Sequence, residues 1–175
     1  MLFPMEKLFE RYVEHHLRAT LQTKTQKNWH LKAQSNKKYL LRHCFKNSPS
    51  EQALFQLIPD LLIYQREGNH KKIKYVLDTK WKLIDETAAR DKKYGISQTD
   101  LYQMYAYSHA YLEEDKSESS VVLIYPFHPK FQTPLPIFKY IKNLYLWCVP
   151  FDLETKKLIM SPDSSFYFKD LFDYE

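Results

Sequence analysis

Residues 58–80 read IPDLLIYQREGNHKKIKYVLDTK, and the pattern of this stretch decides the fold. Leu61-Leu62-Ile63 and Tyr75-Val76-Leu77 are apolar, strand-prone runs, and Gly68-Asn69 between them is a turn dipeptide. The stretch predicts a β-hairpin, with strands over 55–64 and 73–82 and a turn over 65–70. Proline cannot donate to a ladder, so Pro59 predicts an edge, a bulge or a strand start beside it. If the turn is centred on Asn69, Tyr64 faces Lys74 and Asp60 faces Asp78. Side chains alternate along a strand, which puts Asp78 and Lys80 on one face and Thr79 on the other.

Working outward, Met5, Leu8, Phe9, Tyr12, Val13, His16 and Leu17 recur with the helical period. Residues 23–37 are polar and read as a connection, and 39–45 as a strand. Residues 85–95 form a charged, irregular loop. A helix is predicted over 97–114, opened by Ser97 and Asp100 at capping-box spacing. Its apolar stripe is Leu101, Met104, Tyr105 and Leu112. Val121 to Tyr125 is a short apolar strand stopped by Pro126, and 145–151 is a last buried strand. This order predicts an α/β (α+β) sheet domain, one unit over 1–175 with an acidic tail from about 152 to 175.

Composition excludes several chemistries. The chain has 175 residues and only two glycines, Gly68 and Gly95, too far apart to share a motif. A phosphate-binding loop, a dinucleotide-binding turn and a G-x-S-x-G elbow each need two or three glycines close together. Two cysteines are too few for a disulfide framework or a thiolate zinc site. With no signal-peptide pattern, they point to a reducing cytoplasm. No apolar run approaches the roughly 20 residues of a membrane span.

Charge is unevenly placed. Between His15 and Ser50 there is no acid, against Arg18, Lys24, Lys27, Lys32, Lys37, Lys38, Arg42 and Lys46. A second basic cluster runs through Lys71, Lys72, Lys74, Lys80 and Lys82. The tail is acidic, with Asp152, Glu154, Asp163, Asp170, Asp173 and Glu175. Such asymmetry fits a face for a polyanion such as DNA; a lysine-rich solvated surface has the same composition.

The hairpin carries the chemistry. Charged groups ending core strands need a reason, because burying a charge is costly unless it is paired or metal-bound. Asp60 and Asp78 suit Mg²⁺ (or Mn²⁺), which takes one or two carboxylates plus waters and phosphate oxygens. The Thr79 carbonyl is a further candidate ligand. Lys80 suits orientation of a water or offsetting of charge; the two carboxylates favour its protonated form and bound metal pushes the other way, which leaves its role open. A cross-strand salt bridge explains the same residues. On the second helix Gln103 and Tyr107 are four apart and share a face; alone they also fit a surface amide and a tyrosine packed on the sheet. Glu10 borders the first helix's apolar stripe, where a carboxylate reaches either a metal or solvent.

Together, Glu10 in Leu8-Phe9-Glu10-Arg11-Tyr12-Val13, Pro59-Asp60, Leu77-Asp78-Thr79-Lys80 and Gln103-x-x-x-Tyr107 resemble the PD-(D/E)XK nuclease superfamily, in the Q-x-x-x-Y branch that includes RecB-type exonuclease domains. Residues 100–107, followed by Leu123-Ile124-Tyr125-Pro126, are similar to McrC, the nuclease subunit of the McrBC modified-cytosine restriction system. The resemblance covers roughly residues 3–150. It implies a restriction endonuclease-like core, a mixed central sheet flanked by helices with a divalent-metal site at one edge. It also implies Glu10, Asp60 and Asp78 as metal ligands and Lys80 as the water-orienting residue, with Gln103 and Tyr107 supporting the site or touching DNA.

The expected activity is metal-dependent DNA endonuclease action, with a McrB-like GTPase or a second copy of the chain as partner. The alternatives are a RecB-like exonuclease and a DNA-binding or assembly subunit silent without a partner NTPase. McrC proteins carry a substantial region ahead of this helix, so a stand-alone or truncated nuclease domain, or a fragment, is expected.

Overall fold

A computed structural model describes residues 4–23, 28–33, 38–113, 120–161 and 171–172. The elements run α1 (Met5–Thr23), β1 (Trp29–Ala33), β2 (Lys38–Cys44), β3 (Glu51–Leu57), β4 (Leu61–Glu67), β5 (His70–Thr79), α2 (Gln98–Tyr111), β6 (Ser120–Pro126), β7 (Phe138–Lys139), β8 (Tyr145–Asp152) and β9 (Lys157–Leu158). Seven strands form one mixed sheet in the order β1-β4-β5-β6-β8-β7, with β9 on β8, and β2 and β3 form a separate ribbon. The β5–β6 and β6–β8 pairs are parallel and the others antiparallel. This is the expected mixed sheet flanked by helices, consistent with a restriction endonuclease-like core.

The sheet is buried on both faces because its central strands are apolar on both. Leu61, Ile63, Leu77, Val122 and Ile124 meet α1 through Phe9, Val13, Leu17 and Leu21. Leu62, Val76, Val121 and Leu123 meet α2 through Met104, Tyr107 and Tyr111. The two sets alternate along each strand, as the pleat requires. Leu171 and Phe172 join the α1-side core.

Several expectations change. The strand predicted over 55–64 is two strands in two sheets. β3 stops at Leu57 and β4 starts at Leu61, and Pro59, with no N–H to give, lies in the break. Within the stretch read as a polar connection lies β1, which pairs with β4 at the sheet edge. Its inward residues Trp29, Leu31 and Ala33 alternate with His30 and Lys32, so its mean polarity hides a period of two. Helix α2 buries Met104, Tyr107, Ser108 and Tyr111, a stripe rotated from the predicted one. Ser97 takes the N-cap position but makes no side-chain capping bond. The predicted basic cluster is dispersed: Lys74 is buried, Lys71 lies over the Tyr64 ring, and Lys80 lines a cleft.

Gly68 and Asn69 form a two-residue turn closed by the Glu67–His70 pair, with Gly68 at φ +60. From the turn, the ladder runs one residue off the expected register, with Tyr64 facing Ile73. A bulge then leaves Lys74 extra, and Ile63 faces Tyr75 and Leu61 faces Leu77. The bulge thus restores the register that brings Asp60 towards Asp78. Expectations for Lys24, Lys27, Lys37, Glu114, Asp163, Asp170, Asp173 and Glu175 fall outside the described residues. Among the described residues no helix is long and apolar enough to cross a membrane.

Candidate active site

The carboxyl end of β5 opens into a cleft of about 310 Å³ between α1 and α2. Every residue singled out from the sequence lines it: Glu10, Asp60, Asp78, Thr79, Lys80, Gln103 and Tyr107. Each arrives for a separate local reason. Asp78 is carried by a strand buried on both faces and is only 3 % exposed. Asp60 follows the proline that ends the ladder, so its carboxylate is free to turn across the end of β5. Its Oδ2 accepts the Thr79 backbone N–H and the Thr79 hydroxyl, each at 2.7 Å. Thr79 was expected to point away from the acids; its hydroxyl instead reaches Asp60, because Asp60 lies off the strand.

Lys80 lies one residue beyond β5 and is held by its backbone N–H to the Ile124 carbonyl at 2.9 Å. Its Nζ is 2.5 Å from Asp78 Oδ2 and 3.6 Å from Asp100 Oδ1. It also donates to Gln103 Oε1 at 2.9 Å. Gln103 Nε2 donates to the Tyr107 hydroxyl at 2.8 Å, which donates to the Ile58 carbonyl at 3.0 Å. The Gln/Tyr pair is therefore a brace that anchors Lys80 to the backbone ahead of Asp60. Tyr107→Phe strands the Gln103 amide and the Ile58 carbonyl. A loss of about 1–2 kcal/mol in chemical denaturation is expected, and unchanged stability would show the brace idle.

Burial dominates the electrostatics. It raises the Asp60 carboxyl, aided by repulsion from Glu10, against the Thr79 hydrogen bonds that lower it. Burial and then the Asp60 charge push Asp78 up to about 7, although Lys80 pulls the other way. For Lys80, burial favours the neutral amine, but Asp78, Asp100 and Asp60 together outweigh it and hold the pKa above the ordinary lysine value. In the metal-free cleft Lys80 is thus held in its charged form. The Tyr107 hydroxyl is raised by burial and by Asp78 and Asp60, and stays protonated.

Asp100 was read as part of a capping box. It lies one turn before Gln103 on α2, so the face that brings Gln103 to Lys80 brings Asp100 too. That spacing was the available signal. Trp81 and Lys82 also line the cleft, with no motif to mark them. Glu10 is 6 % exposed and its Oε2 is 2.6 Å from Lys7 Nζ.

The donor set suits a hard divalent cation. Two buried carboxylates repel one another here, and a cation relieves that repulsion. Among the described residues no three His, Cys, Asp or Glu side chains form a ready cage. Mg²⁺ does not require one, because it keeps several waters and uses one or two carboxylates.

The profile of a family described as McrBC 5-methylcytosine restriction system component matches residues 1–126. No curated protein matches. Among solved structures, the chain is similar to one in a refined half-complex from a tetradecameric assembly of Thermococcus gammatolerans McrB AAA+ hexamers with bound McrC. The identity is 20 %, the TM-score 0.55, and the match covers 96 % of this chain and 31 % of that one. At that identity the likeness concerns the fold. The profile match spans most of the sheet and both helices, and on it the chain belongs to the McrBC 5-methylcytosine restriction system component family.

Proposed function

We propose that this chain is a divalent-metal-dependent DNA endonuclease of PD-(D/E)XK type, the nuclease component of a McrBC-like restriction system. The observation that carries the reading is the convergence of Asp60, Asp78 and Lys80 in one cleft, braced by Gln103 and Tyr107. Asp60 and Asp78 would hold Mg²⁺ or Mn²⁺, with Glu10 and the Thr79 carbonyl as further oxygens. Such a cation polarises a phosphoryl oxygen and acidifies water. Lys80, kept charged by Asp78 and fixed by Gln103, orients a water and offsets negative charge at the phosphorus. Asp60 is itself fixed by two Thr79 donors, so the acids are in place before substrate arrives.

The chain has no phosphate loop, so energy coupling would belong to a McrB-like NTPase partner in the cytoplasm. Cutting both strands would call for a second copy. The test uses circular duplex DNA with Mg²⁺, Mn²⁺ or EDTA, with and without such a partner. Metal-dependent linearisation or nicking is expected, lost in Asp78→Ala. Absence of cleavage in both arms, or cleavage indifferent to Asp78→Ala, removes the proposal. Degradation restricted to linear DNA would instead identify an exonuclease.

A further inference from the structure

The β2–β3 ribbon is inserted between β1 and β4, at the sheet end where the cleft opens. All of β2 is exposed, and so are most residues of β3. A lone two-stranded ribbon is marginal in water, so this one needs either a covering partner or an anchored base. Its base is anchored to α2. The Tyr111 hydroxyl donates to the Leu57 carbonyl at 2.7 Å, Tyr107 holds Ile58, and Lys38 reaches the Ala110 carbonyl. The ribbon is therefore fixed in position relative to Gln103 and Lys80, while its far end stands in solvent.

That free end has a definite chemistry. Arg42, His43 and Lys46 are exposed, and the only acid from Lys38 to Leu57 is Glu51, which pairs with Arg42 at 2.9 Å in the DNA-free chain. Nearer the anchored base, between Leu54 and Gln56, Phe55 is 68 % exposed and holds φ +58, a left-handed conformation unusual for a bulky residue. Strain of this kind persists where it serves a contact. A two-stranded ribbon fits the DNA major groove, with basic side chains on phosphates and an apolar residue on the bases.

We propose that the β2–β3 ribbon is a DNA arm that enters a duplex groove beside the cleft, with Arg42 and Lys46 on the phosphate backbone and Phe55 against the bases. This rests on the reading of the cleft as a DNA-cleaving site, and it adds how the duplex is held there. The ribbon also exposes Tyr39, Leu40, Leu41 and Phe45; the excess of Lys38, Arg42 and Lys46 over Glu51 is what selects DNA over a protein surface as the covering partner.

The test is fluorescence anisotropy of the full chain with a labelled duplex, in EDTA, over a salt series. Arg42→Ala and Lys46→Glu should each weaken binding about tenfold at low salt. They should flatten the slope of log affinity against log salt by about 0.9 per lost phosphate contact. Phe55→Ala should weaken binding several-fold with the slope unchanged. Lys46 lies beyond the ladder, so its variant keeps the fold, checked by circular dichroism. Equal affinity and slope in all three variants, or no duplex binding by the wild type, overturns the arm. So does a change in sedimentation of the DNA-free chain without a change in DNA binding, which marks a protein interface. Because EDTA removes the metal, the two proposals fail separately. Metal-dependent cleavage by a chain whose ribbon variants bind normally sinks only the arm. Ribbon-dependent binding without cleavage sinks only the nuclease reading.

Discussion

Asp78→Asn is expected to abolish metal-dependent DNA cleavage, by at least about a hundredfold, while making the metal-free chain more stable above pH 7. The two effects have one cause. Asp78 is buried beside Asp60, and its carboxyl is pushed up to about 7 even with Lys80 in contact. The raised value already includes the attraction of Lys80, so in the folded chain ionisation is a net penalty. Since the folded value lies above the ordinary 3.8, the folded chain binds the proton more tightly than the unfolded chain. Its contribution to stability is complete below the unfolded pKa and is lost as pH rises through about 7. Thermal melting in EDTA from pH 4 to 9 should show that decline in the wild type and flatten it in the asparagine variant. Adding Mn²⁺ at pH 8 should reverse the order, raising the wild-type Tm by mass action and leaving the variant unmoved. A wild type whose Tm ignores Mn²⁺ would argue that the acids serve only the salt bridge.

Lys80→Ala should also remove cleavage, about a hundredfold or more, but with the opposite effect on the metal-free fold. The substitution takes away the cation in contact with Asp78 and leaves two buried acids facing each other. A loss of about 1–3 kcal/mol is expected near neutral pH, below the figure for a fully buried pair because Lys80 is part-exposed. Mn²⁺ should restore much of it. Lys80→Arg separates charge from geometry: it should regain stability but not cleavage, since a planar guanidinium does not reproduce the ammonium's contacts with Asp78 and Gln103. Cleavage retained in Lys80→Ala would assign the water-orienting role elsewhere in the cleft.

Much of this site was legible in the sequence because it is local. Asp78 and Lys80 are fixed by strand alternation, and Gln103 and Tyr107 by helix spacing. The hairpin register brought Asp60 opposite Asp78, whereas the convergence of Glu10 on them is tertiary and became readable only when the motifs were taken together. The misses have physical reasons. Strand β1 hides because a half-buried edge strand alternates, so Trp29, Leu31 and Ala33 are diluted by His30 and Lys32. Strand β3 was merged with β4 because Leu54 to Ile63 is largely apolar on both sides of Pro59, and hydrophobicity does not say which sheet a strand joins. Asp100 was read as a cap because capping spacing and cleft-facing spacing coincide on the first turn of α2. Thr79 was placed by the alternation of its own strand, which says nothing of an Asp60 that reaches around the strand's end.

The bulge at Lys74 has a practical consequence for handling the protein. It divides the β4–β5 hairpin into a turn half and a cleft half whose registers are set independently. A residue added or removed at Gly68-Asn69 can be absorbed at the bulge without displacing Asp78. The exposed turn is therefore a permissive insertion point, suited to a fluorophore or an affinity tag that leaves the cleft untouched.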